Sequence, residues 1–214
     1  MMRRPHPVLI VLLVLTGALA LYATKNFEPP KVSNATTYPA HDVHASEKVS
    51  IAADPYNTAQ KAAIFRLKYL DHGVLPINLI VTNDSGYPVA MTKLDVQLVA
   101  RDRHAKLTPL DPDDIYRIMT HVKRTDDVGR TTNPLPFPRS HKVGGMKQED
   151  RDEVENSRFA AEAVEPRSTQ AGFVYFDVSG LDNPLDGATL YVSGLRDDKG
   201  NDLMYFEIPL SKAQ

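Results

Sequence analysis

The stretch AGFVYFDVSG, residues 171–180, decides how the rest of the chain is read. As a strand it sends Val174, Phe176 and Val178 to one side and Phe173, Tyr175 and Asp177 to the other, because successive side chains of an extended backbone point to opposite faces. The first side is a core face. The second carries two aromatics where a solvated face would carry polar groups, so it is either covered or used for binding.

Two similar patterns follow. GATLYVSGL (187–195) and DLMYFEIPL (202–210) alternate in the same way, separated by the turn sequences LDNPLDG (181–187) and RDDKGND (196–202), the second a hairpin loop. Their core faces are Leu190 and Val192, then Met204, Phe206 and Ile208. Tyr175, Tyr191 and Tyr205 fall on the non-core side of consecutive strands. If those strands pair in order, the tyrosines form a cross-strand ladder worth about 0.2–1 kcal/mol per pair. The ladder is then structural, alone or under a packed amphipathic segment, or it is an exposed patch for a partner or a carbohydrate.

Upstream, VLPINLIVTNDSG (74–86) sets Ile77, Leu79 and Val81 against Asn78, Ile80 and Thr82 before a turn. TKLDVQLVARD (92–102) sets Leu94, Val96 and Leu98 against Asp95 and Gln97. EKVSIAA (47–53) is a further strand. Thr58 to Leu70 reads as a helix capped by Asn57 or Thr58 and closed by Gly73, with Ala59, Ala63, Ile64, Leu67 and Leu70 as its stripe and Phe65 and Tyr69 flanking. LDPDDIYRIM (110–119) begins a second helix, with Asp111 as cap, Pro112 at the first position, and Asp113 and Asp114 at the positive end of the dipole.

Between about 120 and 160 the pattern changes. Lys123, Arg124, Arg130, Arg139 and Lys142 make the first half basic, Pro134, Pro136 and Pro138 favour extended backbone, and KQEDRDEVENSRFAAEAV (147–164) is acidic and helical at first. This is a polar insertion. PLPFP within it resembles a polyproline ligand but reads as a plain loop. Short alternating strands on either side of an insertion predict a mainly β fold, an antiparallel Ig-like β-sandwich over residues 47–210 with one or two short helices and a 211–214 tail. Strict alternation argues against a parallel sheet.

The N-terminus predicts the compartment. Arg3 and Arg4 precede an uncharged run from Val8 to Thr24, the pattern of an export signal or a short anchor. Ala18-Leu19-Ala20 offers a cleavage site, and Tyr22 suits the interface of an uncleaved anchor. Either way the chain after Lys25 is expected outside the cytoplasm: held at the inner membrane facing the periplasm, or released into it. Residues 25–46, with Pro29, Pro30 and Pro39 and no apolar period, read as a flexible tether.

Composition narrows the chemistry. The 214 residues carry 25 basic and 27 acidic side chains, a net charge of −2, so no general attraction to nucleic acid is expected. Cysteine is absent, which excludes disulfides, thiolate catalysis, cysteine-bound zinc and a lipidated cysteine. No G-x-S-x-G, H-E-x-x-H, P-loop or dinucleotide fingerprint occurs. His41 and His44 are the one close histidine pair, read as tether residues, and DPDD (111–114) lacks the spacing of a calcium loop. Glu153 and Glu155 read as a solvated charge run. No cofactor, metal set or catalytic residue is expected. Asp177 and Glu207, beside aromatics on strands, are the carboxylates that glycoside chemistry would use.

At ADPYNTAQKAAIF, GVLPINLIVTNDSGYPV and AGFVYFDVSG…LYVSGLRDDKGNDLMYFEIPL the chain resembles uncharacterised bacterial envelope proteins with an export signal or anchor and an Ig-like sandwich. The resemblance spans about residues 47–118 and 164–210. It implies a fold and a compartment and brings no activity. The expected function is a non-enzymatic binding or assembly module tethered to the envelope, with an envelope protein as partner. Its expected contacts are Tyr175, Tyr191 and Tyr205 and the arm bearing Arg124, Arg130 and Arg139. An envelope hydrolase or carbohydrate-binding protein is the alternative.

Overall fold

The structure, a computed structural model, describes residues 27–101, 104–120 and 145–213. Strand β3 (Val74–Asn83) is the spine of a first sheet. It pairs antiparallel with β2 (Val49–Pro55) on one side and β8 (Ser168–Asp177) on the other, so that Ile77 lies opposite both Pro55 and Val174. Strand β1 (His41–His44) extends this sheet to the order β1-β2-β3-β8.

A second sheet runs β10-β9-β5-β6, from β5 (Asp95–Val99), β6 (Lys106–Leu107), β9 (Thr189–Ser193) and β10 (Phe206–Pro209). A small ribbon joins β4 (Val89–Ala90) to β7 (Ala163–Val164). All these strand pairings are antiparallel. The protein is therefore mainly β with few helices.

Alternation decides the core. Ile51, Ala53, Ile77, Leu79, Val81 and Phe176 of the first sheet share one buried cluster with Val96, Leu98, Leu190, Val192, Phe206 and Ile208 of the second. Each such large apolar side chain contributes about 1.5–3 kcal/mol of burial before chain entropy is subtracted. Three expected core residues differ in degree: Leu94, Val174 and Val178 only pack against the cluster. Met204 differs in kind. It precedes β10 and is 67% exposed.

The first sheet is buried on its other face as well, and every residue of β3 is buried. Over one half lies an aromatic cluster of Tyr56, Phe65, Tyr69, Phe173 and Tyr175 with Val74, Ile115 and Val154. Over the other half, Ala35 packs on Ala52 and Ile80, and its N–H donates to Thr82 Oγ1 at 2.9 Å. That second cover corrects the tether reading for its described part. Phe27 stacks on Phe65 at 5.7 Å, a 3-10 turn spans Ala35–Thr37, and His41–His44 is a strand.

The region expected to be one helix from Thr58 to Leu70 is two short pieces. Helix α1 (Ala59–Ala62) is capped by Thr58, whose Oγ1 accepts from the Lys61 N–H at 3.3 Å. A 3-10 turn, Tyr69–His72, closes at Gly73 with φ of 73°, where a side chain would strain the backbone. Between them the chain bends, and the residues it buries are Phe65 and Tyr69, not the expected stripe. Helix α2 (Pro112–Thr120) starts as expected, with Asp111 Oδ1 accepting from the Asp114 N–H at 2.8 Å. Helix α3 (Gln148–Ser157) confirms the helical start of the acidic stretch and packs beside α2, where the Tyr116 hydroxyl donates to Glu155 Oε1 at 3.0 Å.

Among the described residues no helix is long and apolar enough to cross a membrane. The segment 8–24 lies outside the described residues, as do Arg124, Arg130, Arg139 and PLPFP.

Candidate functional site

The three tyrosines separate. Strand β8 pairs with β3 and not with β9, so Tyr175 sits on the first sheet and Tyr191 on the second. Tyr175 is 1% exposed, its ring 4.9 Å from that of Tyr69 and its hydroxyl 2.5 Å from Ser157 Oγ. The expected contact role for Tyr175 is thereby corrected: the residue is structural, covered by the 58–72 segment and α3. Burial pushes its phenol upward, further than the hydrogen bond with Ser157 pulls it down.

The same layer holds Glu153, which was read as a solvated charge and is 3% exposed. Its carboxylate accepts from the backbone N–H groups of Arg66 at 2.5 Å and Leu67 at 3.1 Å. The Arg66 guanidinium in turn pairs with Glu149 at 2.6 Å and Asp150 at 2.9 Å. Burial raises the Glu153 carboxyl above its ordinary range despite the two N–H donors. These groups lock α3 onto the bend after α1. They are engaged with one another within the packed layer.

Tyr191 and Tyr205 do come together, with ring centroids 6.3 Å apart and planes at 41°. They line an open trough of about 550 Å³ on the outer face of the second sheet. The register builds it: Glu207, Tyr191 and Gln97 form one row across β10, β9 and β5, and Ser193 and Asp95 form the next row of the same face. Lys106 and Val99 close one end. Gln97 Nε2 donates to Asp95 Oδ2 at 2.9 Å, which commits one amide hydrogen and leaves the carbonyl oxygen as an acceptor.

Strand β10 is fixed by the opposite sheet. The Glu207 N–H donates to Asp42 Oδ2 at 2.9 Å, and the Met204 N–H donates to Glu47 Oε1 at 3.4 Å. His44 lies 2.8 Å from Glu47 and stacks on Phe206 with centroids 3.8 Å apart. Carboxylates of the β1 hairpin thus satisfy backbone donors of an edge strand, the kind of covering that blocks strand addition. They also hold Glu207 and Tyr205 in place. His41 and His44 are structured, and no group of three or more metal-ligating side chains occurs among the described residues.

Asp177 and Glu207 do not converge. Asp177 ends β8 on the first sheet and accepts from the Ser179 N–H at 3.0 Å, while Glu207 faces the trough. Asp95, Gln97 and Lys106 were missed as site residues. The alternation of TKLDVQLVARD already placed Asp95 and Gln97 on the non-core side, but only the pairing of β5 with β9 sets them beside Tyr191.

A second hollow, of about 660 Å³, lies between Leu70, Leu75, Val178 and Asn183. It has no aromatic lining, and its Lys61 is paired with Asp54 at 2.5 Å. No family model, curated protein or solved structure matches this chain.

Proposed function

We propose that this chain is a non-enzymatic extracytoplasmic binding module: an Ig-like β-sandwich carried at the bacterial envelope by its N-terminal segment, with the outer face of the second sheet as its contact surface. The observation that supports this reading is the pair Tyr191 and Tyr205 in an open trough, on a protein whose other sheet is covered on both faces. Two adjacent aromatic anchors with a polar rim are the features that concentrate binding energy at an interface.

A catalytic role is less well supported. Glycoside cleavage needs one carboxyl in a water-poor wall and a second at a set distance across the scissile bond. Asp95 and Glu207 stand on an open, solvated face.

The test is capture of detergent-solubilised envelope material, from cells lacking the chain, by the purified full chain immobilised in the same detergent, where no bilayer remains for the N-terminal segment to enter. Wild type is expected to retain envelope material, and the Tyr191→Ala/Tyr205→Ala double variant to lose most of it. Equal capture by both would remove the trough from consideration.

A further inference from the structure

We infer that the trough takes a neutral sugar chain, with successive pyranose rings laid on Tyr191 and Tyr205; this rests on the reading of that face as the contact surface. A pyranose has an apolar face of C–H groups and an equator of hydroxyls. The C–H face packs on the electron-rich face of an aromatic ring. The hydroxyls each donate and accept, so they need both kinds of partner around the ring.

The row across the sheet supplies that arrangement. Tyr191 stands between the Glu207 carboxylate and the Gln97 amide, with Ser193 and Asp95 one row away and Lys106 at the end. Carboxylates accept, the ammonium donates, and the amide and hydroxyl do both. A volume of about 550 Å³ falls inside the range of about 300–1,000 Å³ typical of small-ligand sites. Because the trough is open, a chain can lie along it. The 41° between the ring planes suits a twisted single strand better than a flat crystalline surface, which would need coplanar rings.

Other ligand classes fit less well. Two carboxylates against one ammonium disfavour nucleic acid, phosphate headgroups and acidic glycans. A quaternary ammonium wants aromatic walls on several sides and no competing cation, and Lys106 shares this site.

The experiment uses the full chain in a detergent without a sugar headgroup. It is mixed with the envelope glycan fraction, freed of protein by protease and of lipid by extraction, and separately with neutral oligosaccharides of increasing length. Wild type is expected to bind the glycan fraction and at least one oligosaccharide series, with affinity rising with chain length. Tyr191→Ala and Tyr205→Ala are each expected to lose about tenfold or more. Tyr87→Ala, at a tyrosine 62% exposed elsewhere, serves as the control and is expected to change nothing.

Capture of detergent-solubilised envelope material that needs the tyrosines, with no binding to any glycan, would overturn the sugar assignment in favour of a protein partner and leave the contact surface standing. Capture that ignores the tyrosines would overturn both. Glycan binding unaffected by the tyrosine variants would place the sugar elsewhere and overturn the inference.

Discussion

The hydroxyl of Tyr175 lies 2.5 Å from Ser157 Oγ, and this contact ties the most aromatic strand to helix α3. It converts an apparent binding face into the floor of a second core. Tyr175→Phe removes the contact while keeping the ring, and Ser157 retains the Val154 carbonyl as a partner at 3.2 Å. The expected loss is about 0.5–1.5 kcal/mol, read from chemical denaturation. Tyr175→Ala also empties the ring volume and is expected to cost about 3–5 kcal/mol. Neither change is expected to alter the trough.

Glu153 gives a pH-dependent prediction. Its carboxyl is raised in the folded state by burial, so the folded chain binds this proton more readily than the unfolded chain does. Its contribution is then fullest below the unfolded-state value near 4.5 and declines as pH rises through the higher folded-state value. Glu153→Gln removes the buried charge and keeps one acceptor oxygen, for the Arg66 or the Leu67 N–H, where the carboxylate offers a separate oxygen to each. At neutral pH it is expected within about 1 kcal/mol of wild type or above it, with that advantage shrinking toward pH 4. Glu153→Ala leaves both donors without their acceptor and is expected to cost about 1–3 kcal/mol. A Gln variant as damaging as Ala at neutral pH would count against this account.

Gly172 of β8 lies hard against the segment that follows α3. A β-carbon there would sit 2.5 Å from the Cα of Phe159, whose N–H donates to the Phe173 carbonyl at 2.9 Å. Gly172→Ala is expected to destabilise by about 1–3 kcal/mol through overpacking. Hydrogen exchange is expected to quicken at the Phe159 amide before it does so in β3.

Much of the fold was legible because its signals are local. The alternations of 74–82 and 94–98, the Thr58 and Asp111 caps, the Gly73 closure and the hairpin loop at 196–202 each depend on neighbours in sequence. What could not be read depends on distant partners. The bend after α1 donates Arg66 and Leu67 N–H groups to a carboxylate 87 and 86 residues away, and no local pattern announces that. Whether the second face of β8 is covered depends on which strand it pairs with and which layer follows: β9 and β10 pair in sequence order, but β8 pairs with β3.

The site was legible in part for the same reason. Tyr191, Tyr205 and Glu207 belong to one hairpin and could be placed together from sequence. Asp95 and Gln97 reach them from about a hundred residues upstream, through the β5–β9 register. The described part of the N-terminal stretch shows no period because its few apolar anchors are scattered: Phe27 and Ala35 dock on the outer face of the first sheet, and Ala40 enters the core between the sheets.

The most direct measurement is site-specific photocrosslinking in living cells, with a photoreactive phenylalanine placed at Tyr205 in one strain and at Tyr116 on α2 in another. The account predicts an adduct from position 205, seen as a mass shift or immobilisation on envelope material, and none from position 116. Adducts from position 116 with none from position 205 would contradict it and move the contact surface to the helical layer.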